Sequence, residues 1–381
     1  MVYLDHNASS PLLPVARAAW LEAEERWPGN PSSQHRLGAR AERALEEARV
    51  RVGAILGRDP DGIMWTSGAT EACNTVLRDA AARDDGTQAV WISAVEHPAV
   101  VAAAHAYFGG RVVHIPVDRN GVTDVAWVEE RLARERPGLV AVMAANNETG
   151  VIQPWRRVHE LCVAREVAFF SDATQWCGRI AAVELGRCEF VAGSAHKFGG
   201  PRGVGFLAVP PGGRLHPLMH GGKQQEGRRA GTENVAGVCA MAAGLDWCEQ
   251  QIKSGAEVPL RQARDVFAVE LRRKFPAARI NGEGCERLWN TLSVVMPEVD
   301  CRQRWVVKLD KAGFAVSTGS ACASGAEKPS PVLSAMGLSA EEAARALRFS
   351  AGWLTPPEAW ENLLHAVVRI QEEIGVAAAG R

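Results

Sequence analysis

Ser194-Ala195-His196-Lys197, followed by Phe198-Gly199-Gly200-Pro201-Arg202-Gly203, is the stretch around which the 381-residue chain is organised. Lys197 is the first of only seven lysines, in a sequence with 43 Lys plus Arg. Where arginine fills nearly every cationic position, a lysine marks work that arginine cannot do. An amine can lose its proton and condense with an aldehyde; a guanidinium, with its very high pKa, cannot. Lys197 therefore reads as an imine-forming residue, set against the ordinary alternative of a solvated surface charge.

Upstream of this stretch, two patterns alternate. Apolar runs at 62–66, 89–93, 111–115, 139–144 and 167–171 read as strands, as do short runs at 190–193 and 203–209 on either side of Lys197. Helical spacing of apolar residues covers 38–56, 69–82, 98–107, 123–134 and 155–165. Strands alternating with helices of this length predict an α/β fold, a mainly parallel sheet flanked by helices. Ligands in such folds bind beyond the carboxyl ends of the strands. Residues 1–35 lack periodicity, are broken by Pro11, Pro14, Pro28 and Pro31, and read as an arm.

Downstream, a long helix over 234–252 ends at Lys253-Ser254-Gly255, where a domain boundary is expected. The sequence then mixes helices (260–275, 301–311, 356–374) with strands (288–296, 314–317, 345–350), as in a smaller α+β domain. The expected organisation is an arm over 1–15 packing with the small domain, a large cofactor-binding domain over 16–253, and a small C-terminal domain over 254–381.

Composition narrows the function classes. The chain is 47% hydrophobic and 23% charged with a net charge of −1, so it can bury a core. It lacks the basic excess of nucleic-acid or membrane-surface proteins. No apolar run reaches the roughly 18 residues of a membrane span. Met1-Val2-Tyr3-Leu4-Asp5 enters polar sequence at once, without a leader pattern. The nine cysteines are scattered with no C-x-x-C pair, so no metal site is suggested. Reduced thiols in a cytoplasmic protein follow, eight of them reading as small core hydrophobes.

The chemistry gathers at strand ends. Residues 62–66 lead into Ser67-Gly68-Ala69-Thr70-Glu71, either an anion site at a helix start or an ordinary N-cap. Residues 89–93 lead to Glu96-His97-Pro98, with His97 a flat imidazole or merely a cap. Residues 139–144 lead to Asn146-Asn147-Glu148-Thr149-Gly150, and 167–171 to Asp172, with Gln175 close behind. A phosphate site, a carboxylate, a flat ring, amide donors and one lysine are what pyridoxal 5′-phosphate needs. A second centre is Ser317-Thr318-Gly319-Ser320-Ala321-Cys322-Ala323-Ser324-Gly325, where small residues surround one thiol. Arg348, on an apolar strand, suits either a substrate carboxylate or a structural ion pair.

Ordered stretches now resemble one family, the cysteine desulfurases within the class V aminotransferase group of fold-type I pyridoxal phosphate enzymes. They are Tyr3–Ala8, Gly29–Ser33, Thr66–Ala72, Glu96-His97, Asn146–Gly150, Asp172–Gln175, His196-Lys197, Ala230–Asn234 and Gly319–Cys322. The resemblance implies that Lys197 holds the cofactor as an imine and shuttles protons, and that Asp172 pairs with the ring nitrogen. It implies that Gln175 and Asn147 meet the ring substituents and that His97 stacks on the ring or acts as an acid or base. Ala69, Thr70, Ser194 and His196 would hold the phosphate, joined by Thr232 from the partner subunit of a homodimer. Asn30 and Arg348 would bind the carboxylate of L-cysteine. Cys322 would receive the sulfur as a persulfide, leaving alanine, and pass it to an acceptor protein in iron–sulfur cluster assembly, tRNA thiolation or DNA phosphorothioation. A selenocysteine lyase, an aminotransferase or a non-catalytic partner scaffold are the other readings; the Cys322 loop argues against transamination, and the intact Lys197, Asp172, His97 and Cys322 against a scaffold. The sequence departs from the family at His6, Ser9, Ser10 and Arg202, and at Gln225, Glu226 and Ala230 beside the expected dimer-side phosphate contact.

Overall fold

In the computed structural model, which describes residues 1–298, 305–318 and 329–379, the apolar runs of the first two-thirds build one sheet. The elements are β1 (Val2–Tyr3), α1 (Pro14–Arg26), α2 (Arg36–Leu56), β2 (Ile63–Thr66), α3 (Ala69–Arg83), β3 (Val90–Ser93), α4 (Pro98–Phe108) and β4 (Val112–Ile115). There follow α5 (Val125–Leu132), β5 (Leu139–Ala141), α6 (Trp155–Ala164), β6 (Phe169–Asp172), β7 (Phe190–Ser194), β8 (Gly205–Ala208) and α7 (Val235–Lys253). The seven strands lie in the order β2-β8-β7-β6-β5-β3-β4. From β7 to β4 every pairing is parallel, whereas β8 runs antiparallel to both β7 and β2. The double reversal restores the direction of β2. The carboxyl ends of β2, β3, β5, β6 and β7 therefore share one edge.

Alternation along the strands feeds two cores. Ile63, Trp65, Val140, Phe169, Val191 and Phe206 enter the core beneath α2, α6 and α7. Their neighbours Met64, Leu139, Phe170, Ala192 and Leu207 enter the one beneath α3 and α4. A sheet covered on both faces needs apolar residues at every position, which is why its strands read as continuous apolar runs.

The C-terminal part contains α8 (Glu257–Lys274), β9 (Arg279–Ile280), β10 (Thr291–Val295), α9 (Trp305–Lys311), β11 (Phe314–Ala315), α10 (Pro331–Ala335), α11 (Ala340–Ala344), β12 (Ala346–Ser350) and α12 (Glu358–Ala379). An antiparallel sheet, β12-β10-β9, backs a third core that includes Phe267, Leu292, Phe349 and Leu363. The N-terminus joins this part: β1 pairs with β11, Leu4 is buried in the third core, and Asp5 bridges to Ser350.

The expected arm over 1–35 is corrected by α1, which starts with Pro14 in its first turn, a position proline suits. Only Ala16 and Ala23 of this helix are buried. A contact made through alanines offers almost no hydrophobic contrast, so its period is invisible in the sequence. The cysteines also depart in part from expectation. Cys73, Cys162, Cys177, Cys188 and Cys248 are buried, whereas Cys239 and Cys285 are half-buried. Burial pushes the thiols of Cys162 and Cys248 up to about 12, which keeps them inert. Cys301 and the Cys322 centre lie outside the described residues.

Candidate active site

The shared carboxyl edge opens into a cleft of about 520 Å³. Ala69, Thr70, His97, Asn147, Asp172, Gln175, Ser194, His196 and Lys197 all line it. At one end the β2–α3 turn presents Ser67 and Gly68. Gly68 has φ +150°, and a side chain there would stand 3.4 Å from Ser194 Oγ. A Cβ on Gly205 would lie 2.8 Å from Gly68 Cα. These glycines let the start of α3 close against β7 and β8. No side chain caps the first turn of α3, so its free N–H groups and the Ser194 hydroxyl form a donor cradle for an anion. Behind it, Glu71 accepts from Ser67 N (2.7 Å) and pairs with Arg229 (2.9 Å). Burial opposes ionisation of Glu71, but these contacts outweigh it and hold its carboxyl below the usual range.

In mid-cleft, Asp172 ends β6 with its carboxylate accepting from Thr174 N at 3.0 Å. His97 caps α4, its Nδ1 accepting from Ala99 N at 3.1 Å, which leaves Nε2 to carry the proton of the neutral ring. Burial lowers the His97 pKa and Lys197 adds to the effect, while Asp172 opposes both. Next to it, Glu96 is buried and accepts from Met143 N at 2.6 Å. Burial, with Asp172 nearby, pushes Glu96 up to about 8, so it is largely protonated at neutral pH. The buried Asn147 Oδ1, Thr174 Oγ1 and Gln175 Oε1 have no hydrogen-bond partner among the described residues. All three side chains line the cleft.

Lys197 ends a single tight turn after β7. Its Nζ donates to Asn7 O (2.6 Å) and Ala8 O (3.0 Å), both on the N-terminal arm. Its own carbonyl accepts from Ser10 Oγ (2.9 Å) and Arg179 Nη2 (3.0 Å). His196 Nδ1 meets Ser9 Oγ at 3.2 Å, and burial, with Lys197, Arg202 and Arg179 nearby, holds its pKa down to about 4. Gln175 Nε2 donates to Asn7 O at 3.0 Å. Asn7 is itself fixed by Thr291 Oγ1, Asn290 Nδ2 and the carbonyl of Asn147. These arm contacts carry no residue-type signature, because the groups that touch the lysine amine are backbone carbonyls. Arg179 carried none either, as one arginine among many.

Three expected residues stand apart. Arg348, on β12, is 1% exposed; Nη2 pairs with Asp5 at 2.7 Å and Nη1 donates to Asn147 O at 3.0 Å. It thus borders the cleft through Asn147, and the ion pair weighed in the sequence is present. Asn30 and Thr232 are both exposed and line a separate groove near Trp27, where Asn30 does not meet Arg348. Around the departures at 225 and 226, the buried Gln225 bonds both Trp65 N (2.6 Å) and Trp65 O (2.9 Å), and Glu226 pairs with Arg228 at 3.5 Å. Cys322 lies outside the described residues, but both flanks of its segment are tied near the cleft. Ser317 exchanges backbone hydrogen bonds with Arg348, and Ser330 Oγ donates to the buried Glu148 at 2.6 Å.

A site of this kind has relatives. The model of the aminotransferase class-V family matches residues 2–361. The cysteine desulfurase of Cereibacter sphaeroides is 38% identical over 378 residues, covering 98% of this chain and 96% of that protein. The cysteine desulfurase IscS of Dictyoglomus turgidum is 35% identical over 378 residues, covering 98% and 95%. The solved structure of a NifS-like protein from Rickettsia africae superposes with a TM-score of 0.87 at 27% identity, covering 98% of this chain and 99% of that one. Aligned almost end to end with enzymes of one activity, and folded as they are, the chain belongs to the aminotransferase class-V family and, within it, to the cysteine desulfurases.

Proposed function

We propose that the chain converts L-cysteine to L-alanine, using pyridoxal 5′-phosphate held by Lys197, and that Cys322 takes the sulfur as a persulfide for delivery to an acceptor protein. The observation that carries this reading is the convergence on one cleft of Lys197, Asp172, His97 and three orphaned buried oxygens, beside a donor cradle suited to a phosphate. Asn147, Thr174 and Gln175 fit a flat polar ligand that brings its own donors.

When bound, the cofactor supplies an electron sink for charge developing at the substrate Cα. Ser194 and the N–H groups of Ala69 and Thr70 would grip the phosphate, with His196 alongside. Asp172 would keep the ring nitrogen protonated, Gln175 and Asn147 would hold the ring substituents, and His97 would offer its flat ring and its Nε2–H. Lys197 Nζ would anchor the cofactor and, once released by substrate, carry the Cα proton. Arg348, its fork held in register by Asp5, would receive the substrate carboxylate. The Cys322 thiolate attacks the substrate sulfur; the S–S bond forms as the Cβ–S bond breaks, and the electron pair left on Cβ is protonated to the methyl group of alanine. In a homodimer the groove holding Thr232 would face the partner's cleft, and Asn30, which shares that groove, would go with it. Among the described residues no helix is long and apolar enough to cross a membrane.

The test is to incubate purified protein with L-cysteine and measure alanine and sulfide, beside Cys322→Ala. Alanine production that disappears in the variant is expected. A protein that stays colourless when supplied with pyridoxal phosphate sinks the reading.

A further inference from the structure

The carbonyl of Lys197 is gripped from behind by a cation. Arg179 lies on the turn after β6, seven residues past Asp172, and is 4% exposed. Its Nη1 donates to Gln175 O and its Nη2 to Lys197 O, both at 3.0 Å. One rigid fork therefore ties together the backbones of two residues that face the cleft. Its own carbonyl accepts from Trp289 Nε1 at 3.0 Å, which fixes the turn to the C-terminal part. Among the described residues Arg179 forms no ion pair; the groups that face it are the thiols of Cys177 and Cys248 and a second cation, Arg348.

A buried cation without a counter-ion is costly, and proteins ordinarily pair or remove one. Its two hydrogen bonds would be made as well by a neutral donor. What only a charge adds is a field, and the groups that feel it surround Lys197. His196 and His6 are both held neutral to about 4, by burial first and with Arg179 contributing. The other charged or titratable groups facing this region are His97 and Asp172 across the cleft, Arg202 after the β7 turn, Arg348 on β12 and Glu249 on α7. Two carboxylates line the cleft itself, Asp172 and Glu71, and Glu71 is paired with Arg229, as Asp5 is with Arg348, while the buried Glu96 is largely protonated at neutral pH.

We propose that Arg179 is a positioning residue for Lys197, whose fork fixes the lysine backbone against Gln175 and whose charge keeps the lysine amine in a positive field. The inference rests on Lys197 being the residue that anchors the cofactor. A positive field favours the neutral form of a nearby nitrogen, so Arg179 lowers the pH at which the lysine nitrogen gives up its proton.

The experiment is a pH titration of the visible absorption of the cofactor-loaded protein for wild type, R179Q and R179K. It is paired with the pH dependence of the rate at which cofactor-free protein takes up pyridoxal phosphate. Removing the charge in R179Q is expected to raise both midpoints by about one unit. R179K keeps the charge and is expected to titrate near wild type, and it stands in for R179Q in comparison with wild type if R179Q does not fold, where a midpoint raised as far as one unit would overturn the electrostatic role. Unchanged midpoints in a folded, coloured R179Q overturn the proposal while leaving the cofactor reading intact, as do equal shifts in both variants. A colourless wild type overturns the cofactor reading first, and this proposal with it.

Discussion

The two sides of Lys197 are built from different materials. On the strand side, β6, β7 and the turns after them deliver Asp172, Gln175, Ser194 and Lys197, each as a side chain of one required type. On the arm side, residues 7–10 deliver two carbonyl oxygens to Nζ and two small hydroxyls to the lysine turn. The strand side depends on residue identity and the arm side on conformation. Ser9 and Ser10 can stand where the family usually carries threonines because a serine supplies the same oxygen. The carbonyls of Asn7 and Ala8 survive any substitution that keeps the arm in place. Function on the arm side is therefore lost by displacement, and on the strand side by chemistry.

The sharpest contrast comes from removing the strand-side amine. Lys197→Ala is expected to cut alanine release by about 10³-fold or more and to abolish the visible band, with stability little changed. If the band persists, another lysine anchors the cofactor. The arm is attacked next through Asn7, whose side chain donates to Thr291 Oγ1 (2.9 Å) and Asn147 O (3.1 Å) and accepts from Asn290 (3.2 Å). Asn7→Ala leaves those buried partners unpaired and is expected to cost about 2–4 kcal/mol in denaturant unfolding. Cofactor uptake should weaken with it, although Nζ keeps its amine. A variant with full stability but weak uptake would erase the distinction between the two sides.

The smallest effect is one of pH. His6 packs its ring on Gly352 and meets Ser10 Oγ and Thr355 Oγ1, each at 3.4 Å. Burial, aided by Arg179, holds it neutral down to about 4, against an ordinary value of 6.5. The unfolded chain takes up this proton first, so stability is lost as pH falls from about 6.5 towards about 4. His196 contributes in the same window and the same direction. His6→Asn should therefore show a smaller drop in urea midpoint between about pH 7 and about pH 5 than wild type. An identical drop would assign the effect to the other buried histidines, His196 and His97.

The same division explains what could be read in advance. The sheet was legible because its buried strands, all but the edge strand β4, are apolar along most of their length, and the strand-end residues were legible because imine, carboxylate and imidazole chemistry each demand a side-chain type. Helix α1 was not, since two alanines carry its buried face. The arm was not, since a carbonyl belongs to every residue. Arg179 was hidden by the chain's arginine bias, the same bias that made Lys197 conspicuous. Asn30 and Thr232 carried the right residue types, but sequence order does not say which groove a loop faces. Glu226 departs from the basic residue of the pattern, and the pairing it makes with Arg228 at 3.5 Å depends on a local turn that the sequence does not spell out.

Strand β2 lies at the border of the seven-stranded sheet, where main-chain groups would otherwise face outward as a template for a further strand. Gln225 closes that border at Trp65 with a single side-chain amide, which supplies one donor and one acceptor as a peptide unit would. To bring it there the backbone adopts φ +48° at Gln225 and +63° at Glu226, a conformation few non-glycine residues accept. The substituted residue thus serves as a molecular stopper, occupying at Trp65 the main-chain donor and acceptor that a further strand would need.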